Sequence, residues 1–554
     1  MKKHKGIILF LLISLISVLP LLVDGLYSGH DTTFHINRIV GVADAFRDGQ
    51  IIPRIYPYTN NGYGYIVPLV LYCDLFVYPF AILYILGLPL VITYKSMVIF
   101  YVILGNYLTY KLSYKLFNNK KLSLLILFFY AFIPYRFINI FIRGALGEVF
   151  SNAFLPIVFY SLYNIFVLNK RNYILLGLGM ALIAMNHNLT LLLVSLIIAI
   201  FYLYFIITNL SNKSYLKDIT VQLIKATIIA ILLSIWYLGP MIEMLMSHNL
   251  VVNVASNVFD LSLNTINLSA LFNLNAFSNY QLMGPIEIGT YGLGFFSILI
   301  LIYTVIFRNK NKLINILIIL ITILLLIMSG IIPIYNYIDL SILQFSFRWN
   351  IVIIPSIVIV CAYSLNSLKN KYLVIILGMF FVFGYGNNII NYFNNDLTIH
   401  NTDSAYHILE ENISLIKDHN EVQMSDAMFL PLTEKNDYLE DTTFIKLVEK
   451  GLYVDHIYEY ERYFSKIEFT YNSKGNELLM LPLTYYKGYE INAVNEDEQI
   501  KLKPVDIETY HKVGFYTLDG NYTYITKYKG TIIQVLTLIS SVSMLIILLW
   551  HKMK

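Results

Sequence analysis

Charge is what this sequence lacks. Only 13% of its 554 residues are Asp, Glu, Lys or Arg, against about 25% in an average soluble domain. Hydrophobic residues make up 57% and the mean hydropathy is +0.63. A chain whose length suggests several soluble domains therefore reads as a polytopic membrane protein. Neither sign of charge dominates, with 39 Lys+Arg against 35 Asp+Glu. No basic block interleaved with aromatics occurs, which excludes a nucleic-acid partner. The two cysteines, Cys73 and Cys361, each lie in an apolar run and cannot build a disulfide framework. Catalytic signatures are missing too. There is no G-x-x-x-x-G-K-[ST] loop, no H-E-x-x-H, no C-x-x-C and no G-x-S-x-G, so an ATPase, a zinc protease or a serine hydrolase lacks its parts.

What the sequence has in abundance is long apolar runs. The first, from Gly6 to Val23, is long enough to span a bilayer. Its outer end offers no small residues at cleavage spacing, so an uncleaved first span is expected. Further runs near 91–110, 122–141, 149–168, 172–186, 189–208, 219–238, 291–307, 313–329, 349–367, 372–390 and 530–550 bring the expectation to about twelve transmembrane helices. Basic residues between the runs gather at Lys111, Lys115, Lys120 and Lys121, at Lys170 and Arg171, at Lys213 and Lys217, at Arg308–Lys312, at Lys369 and Lys371, and at His551–Lys554. All share the side of the N-terminus if the run 66–88 does not fully cross, as the positive-inside rule requires. That run, with Pro68, Asp74 and Pro79, is accordingly read as a re-entrant or interface-lying element at the outer surface.

This parity turns 24–90, 239–290 and 391–529 outward. The expected fold is an all-α polytopic bundle over 1–390 with a large first outer loop, 24–90. A β-rich extracytoplasmic domain follows over 391–529, then a final helix and cytoplasmic tail over 530–554. The β reading rests on strand-like runs at Tyr463–Tyr471, Leu478–Tyr485 and Tyr522–Tyr528, beginning from about Val454 after a polar, helical start, with turns at Lys474-Gly475 and Asp519-Gly520.

Charges beside membrane spans are costly, so their accumulation points to function. The first outer loop reads Ser28-Gly29-His30-Asp31-Thr32-Thr33-Phe34-His35-Ile36-Asn37-Arg38. A helix starting at Thr32 gives Asp31 the N-cap position and sets Ile36, Ile39, Val40, Ala43 and Phe46 on one stripe. Asp31 is then either a cap alone or a reactive carboxylate. By parity Arg136, Arg143, Glu148, His187, Glu243, Glu287 and Arg348 lie on its side of the membrane. Singly, each reads as a solvated loop residue or a snorkelling charge. Together they suit a lipid-linked phosphate and a proton acceptor, because arginine makes bidentate phosphate contacts and aspartate can take a proton from a hydroxyl.

Several motifs carry a resemblance. Gly29–Arg38, Asp48-Gly49-Gln50-Ile51-Ile52-Pro53-Arg54 and Asn61-Gly62-Tyr63-Gly64-Tyr65 resemble the opening of bacterial membrane proteins described as 6-pyruvoyl-tetrahydropterin synthase-related. Arg143-Gly144-Ala145-Leu146-Gly147-Glu148, Asn186-His187-Asn188 and Gln344-Phe345-Ser346-Phe347-Arg348-Trp349 match later motifs of the same family. Leu481-Pro482-Leu483-Thr484-Tyr485-Tyr486-Lys487-Gly488-Tyr489 resembles the outer domain of YfhO-type proteins, which glycosylate cell-envelope polymers. Both groups are similar to GT-C glycosyltransferases, which use polyprenyl-phosphate sugars outside the cytoplasmic membrane and an acidic residue of the first outer loop as base.

The resemblance implies that Asp31 is catalytic and that His35, Arg38, Arg143, Glu148, His187 and Arg348 bind substrate. It also implies a polyprenyl-phosphate sugar donor, an envelope glycopolymer acceptor such as a teichoic acid or polysaccharide, contact with membrane lipid, and residence in the bacterial cytoplasmic membrane. His30-Asp31 stands where some relatives carry paired acids, so no metal ligand is assigned and a divalent-metal cofactor stays open. A transporter or flippase of lipid-linked saccharides, and a non-enzymatic envelope scaffold, are the alternative readings.

Overall fold

The computed structural model describes residues 2–58, 64–70, 72–248, 250, 261–262, 265–266, 293–306, 311–367, 371–394, 397, 399, 445–449, 452–457, 460–507 and 511–553. Glu287 and the polar stretch 401–444 lie outside the described residues.

The chain is mostly helical. The principal helices are α1 (Lys2–Ile16), α2 (Thr32–Arg47), α3 (Leu90–Phe117), α4 (Lys120–Phe132), α5 (Leu146–Phe166), α6 (Tyr173–Ala184), α7 (Asn188–Thr208), α8 (Lys213–Ser247), α9 (Phe295–Ile306), α10 (Lys312–Met328), α11 (Asn350–Ser367), α12 (Lys371–Asn394) and α13 (Ile532–Met553). A helix thus coincides with each apolar run, but the expected number of full spans is larger than the structure supports. Among the described residues six helices are long and apolar enough to cross a membrane, or seven if α4 and Pro134–Ile142 count as one span bent by 51°.

Proline accounts for part of the difference. Pro20 turns the end of the first run into a 3₁₀ segment, Leu19–Leu22. Pro134 holds Ile133 extended and interrupts the run 122–141. The run 66–88, which is outside the twelve expected spans, breaks into Val67–Val70, Asp74–Phe76 and Tyr78–Ile85, none long enough to cross.

The chain divides into two compact units. The first comprises Met1–His35, Tyr94–Ile231 and Ser256–Asp403. Its helices are rich in Leu, Ile, Val and Phe, and among the described residues asparagine side chains start three of them: Asn119 accepts from the Leu122 N–H at 3.1 Å, Asn212 from that of Tyr215 at 3.2 Å and Asn311 from that of Leu313 at 3.0 Å.

The second comprises Ile36–Thr93, Leu232–Ala255 and Ser404–Lys554. Among the described residues it contains ten antiparallel strands in two five-stranded sheets, ordered β2-β1-β5-β9-β8 and β3-β4-β10-β6-β7. The strands are β1 (Ile445–Glu449), β2 (Leu452–Ile457), β3 (Glu461–Tyr463), β4 (Lys466–Lys474), β5 (Leu478–Thr484), β6 (Tyr489–Val494), β7 (Gln499–Leu502), β8 (Val505–Ile507), β9 (Lys512–Tyr516) and β10 (Asp519–Tyr528). Among the described residues the first strand is thus at Ile445–Glu449, ahead of the strand-like runs expected from about Val454. Burial alternates along β6 and β10, which turn one face inward. Phe469 of β4 and Tyr524 of β10 meet Phe515 of β9 across the sheets, with ring centroids 6.3 and 5.0 Å from Phe515.

Residues Ile36–Thr93 belong to this unit. Ser465 donates to Asp48 Oδ2 at 2.5 Å, and Arg462 donates to the Pro57 carbonyl at 2.8 Å. Glu243 is held by Lys487 at 3.0 Å and by the Thr531 hydroxyl at 2.5 Å. This gives it, and the Tyr485-Tyr486-Lys487 stretch, a role in anchoring the sheets.

Candidate functional site

The site is built where the broken span returns to helix. After Pro134 the chain makes a short turn, Pro134–Phe137, and one π-helical turn, Ile138–Ile142, closed when the Arg143 N–H donates to the Ile138 carbonyl at 2.8 Å. Such wide turns collect at functional positions. Gly144, with φ +65°, then redirects the backbone into α5 at Leu146.

The loop before α2 locks against this turn. The Asp31 N–H donates to the Arg143 carbonyl at 2.8 Å, and His35 Nε2 accepts from the Leu146 N–H, the first of α5, at 3.2 Å. The approach requires glycine on both sides. A Cβ at Gly29 would lie 2.0 Å from the Ile142 carbonyl oxygen, and one at Gly144 would lie 3.0 Å from the Thr32 nitrogen. The His30-Asp31 and Arg143-Gly144 motifs are thus two halves of one backbone arrangement.

Glu148, buried in the first turn of α5, organises the cations. Its Oε2 accepts from the Tyr135 hydroxyl at 2.9 Å and from Asn139 Nδ2 at 2.8 Å. Its Oε1 accepts from Arg143 Nη1 at 3.0 Å, and Arg348 Nε lies 3.7 Å away. Arg143 also donates to Asn139 Oδ1 at 2.7 Å. A guanidinium carries five N–H donors, so pairing with Glu148 orients it without exhausting it.

Arg348 arrives from a 3₁₀ turn, Ser346–Trp349, ahead of α11. Its Nη1 donates to the Leu343 carbonyl at 3.0 Å and to Gln344 Oε1 at 2.7 Å. Gln344 itself has φ +61° and ψ −38°, and the Phe345 N–H donates to the Leu343 carbonyl at 2.7 Å. This is a γ-turn of the rare strained hand, in a residue without glycine's freedom. The Phe345 and Phe347 rings stack at 5.0 Å with 10° between planes. Arg348 lies 5.4 Å over Phe345 and Arg143 lies 5.0 Å over Phe347.

Asp31 keeps part of its surface accessible. Its main-chain carbonyl accepts from the His35 N–H at 3.0 Å, which makes it the cap residue by position. Among the described residues, however, no donor hydrogen-bonds its carboxylate, so capping is left to the main chain. Protein packed around the carboxyl raises its pKa above the ordinary aspartate value, while Arg143 and Arg348 pull it down and Glu148 adds to the rise. His30 next to it is lowered to about 4 by burial and by Arg143, so it stays neutral at pH 7.

The sequence-derived set is only partly brought together. Asp31, His35, Arg143, Glu148 and Arg348 converge. His187 borders them, within electrostatic reach of Glu148, Arg348 and Arg143, but its Nδ1 accepts from the Thr190 N–H at 3.2 Å and caps α7. Arg38 does not join. It is buried in an ion pair with Asp74 at 2.6 Å, and the Tyr56 hydroxyl donates to the same carboxylate. A buried guanidinium requires such a partner, and this ion pair is what the structure shows of Arg38. Arg136 likewise serves the bundle, donating to Asn106 Oδ1 at 2.8 Å and the Val102 carbonyl at 3.2 Å. Tyr135, Asn139 and Gln344 support the site although only Gln344 falls in a recognised motif. Among the described residues no group of three or more His, Cys, Asp or Glu is placed to hold a metal ion.

Comparison with known proteins places the chain in a family. Residues 71–390, more than half the chain, match the family described as 6-pyruvoyl-tetrahydropterin synthase related domain, membrane protein. The chain belongs to that family. The matched stretch of this 6-pyruvoyl-tetrahydropterin synthase-related protein contains Arg143, Glu148, His187 and Arg348, whereas Asp31 and His35 precede it. A protein of Lactococcus lactis subsp. cremoris (strain MG1363), described as uncharacterized, is 24% identical over 274 residues, covering 47% of this chain and 43% of its own length. The alignment therefore spans less than half of that relative.

Proposed function

We propose that the protein is a glycosyltransferase that takes a sugar from a polyprenyl-phosphate donor at the outer face of the bacterial cytoplasmic membrane and passes it to a cell-envelope glycopolymer. The observation that carries this reading is the Asp31 carboxylate. It belongs to a residue that keeps part of its surface accessible, accepts no hydrogen bond among the described residues, and sits in the field of Arg143 and Arg348. In the proposed reaction Asp31 takes the proton from the acceptor hydroxyl as that oxygen attacks the sugar carbon, and the lipid phosphate leaves with the bonding electron pair. Arg143 and Arg348, aligned by Glu148, stabilise the charge that grows on the departing phosphate. A GT-C-like architecture and an extracytoplasmic site are parts of the same proposal.

A second reading draws on a different observation. Arg136 is a buried cation in a bent span, ringed by Asn106 and main-chain carbonyls. Ionisable groups inside membrane bundles also mark transport pathways, so this feature favours a carrier of lipid-linked saccharides. Incubating the purified protein in lipid with radiolabelled polyprenyl-phosphate sugars and envelope fractions separates the two. Label entering polymer supports transfer, and label that only changes leaflet supports carriage.

A further inference from the structure

The bundle contains a second feature at the opposite end of its helices. A cavity of about 390 Å³ lies among α3, α4, α5, α7, α10 and α11, with Leu155, Ile197, Leu317 and Val358 among its predominantly apolar walls. On α3 the cavity takes Thr109–Phe117, while Tyr94, hydrogen-bonded to Thr32, marks the site end. On α5 it takes residues from Leu155 to Phe166, with Glu148 at the site end. On α7 it takes residues from Val194 to Thr208, with His187 capping the site end. Along α7 that stretch is about 20 Å at the helical rise, so the space is long and narrow.

Cations ring the end of the bundle that it approaches. Lys115, Lys120, Lys121, Lys170, Arg171 and Lys213 are all exposed there. Lys115 Nζ lies 5.3 Å over the ring of Tyr160, itself a wall of the cavity. Among the described residues the carboxylate at this end is Asp218, which accepts from Gln222 at 3.0 Å.

We propose that this cavity holds one acyl chain of an anionic membrane phospholipid whose phosphate lies at the lysine rim. Apolar walls favour hydrocarbon over saccharide, and an elongated space favours a single chain. The rim selects the headgroup, because basic pockets between membrane helices attract anionic lipid and each nearby cation adds to the preference. A zwitterionic lipid would satisfy the walls and not the rim. Neither Asp31 nor the proposed reaction takes part in this lipid site.

The test is native mass spectrometry of the full chain released from bilayer discs of equal phosphatidylglycerol and phosphatidylcholine. One retained phosphatidylglycerol is expected, enriched at least about tenfold over phosphatidylcholine, as a few rim cations supply. The combined exposed changes Lys120→Gln, Lys121→Gln and Lys213→Gln should bring the ratio down toward the bulk while a lipid is still retained. Ile197→Phe, which narrows the cavity part-way along its length, should lower the amount of retained lipid. A parent whose retained lipid mirrors the bulk, a triple variant with undiminished preference, or preferential retention of an added polyprenyl phosphate at equal concentration would overturn the proposal.

Discussion

The Asp31 N–H donates to the Arg143 carbonyl at 2.8 Å, joining main chain to main chain two segments that are far apart in sequence. The position of the Asp31 carboxylate is therefore set by the backbone and not by contacts of the carboxylate itself. Changing its chemistry should leave its place intact, and the first prediction follows from this.

Burial raises the Asp31 pKa, with Arg143 and Arg348 opposing. A carboxyl whose folded pKa exceeds its unfolded value incurs no penalty at pH below the unfolded value, where both states are protonated. The penalty grows as pH rises past the unfolded value and is complete above the folded one. Asp31→Asn removes the ionisation. Its melting temperature in detergent should match the parent at acid pH and exceed it at neutral pH. A variant less stable than the parent at neutral pH would show that the carboxylate is needed as a cap.

Glu148 plays the opposite part, since two arginines depend on it. Glu148→Gln leaves buried cations without their counter-charge and should cost about 3–5 kcal/mol of stability. Lys487→Gln breaks the Glu243 pair at a lysine that is 53% exposed, and should cost about 1 kcal/mol or less. Denaturant titrations showing equal losses for the two variants would contradict the organising role given to Glu148.

Gln344 combines strain with a hydrogen bond to Arg348. Gln344→Gly relaxes the positive φ, a conformation costing about 1–3 kcal/mol in a non-glycine residue, and removes the amide. Thermal stability should hold or rise while sugar transfer falls by about 10–100-fold, the scale of one misplaced group. A parallel loss of stability would make the residue a structural one.

Much of this architecture is legible in the sequence, for physical reasons. Membrane helices announce themselves by hydropathy, and α2 starts at Thr32 with Ile36, Ile39 and Ala43 buried, as their spacing requires. The strands near Lys466–Lys474, Leu478–Thr484 and Asp519–Tyr528 follow from alternation and glycine turns. Charge parity was enough to group Asp31 with Arg143, Glu148 and Arg348. The pairing of Arg38 with Asp74 is not legible, because nothing local to either residue reveals it. The bend at Pro134, the π-helical turn and the γ-turn at Gln344 are backbone events set by packing from distant segments. The assignment of residues 36–93 to the unit that holds the β-sheets depends on pairs such as Asp48–Ser465, which no periodicity displays.

Topology is open to direct test, because the buried Cys73 and Cys361 leave little background for labelling. A cysteine replacing Glu496, exposed in the turn after β6, should react with an impermeant maleimide in intact cells. One replacing Asn118, exposed between α3 and α4, should react only after permeabilisation. Equal reactivity in intact cells would reverse the parity on which the outward site rests.

The central claim, that Asp31 is the base of a sugar transfer, is met most directly by one comparison. Transfer of radiolabelled sugar from polyprenyl phosphate to envelope polymer is measured for the parent and for Asp31→Asn at equal protein level and saturating donor. The folded variant is expected to lose transfer by roughly 10²–10⁴-fold, the usual contribution of a general base. Parental transfer in the folded Asp31→Asn protein would contradict it.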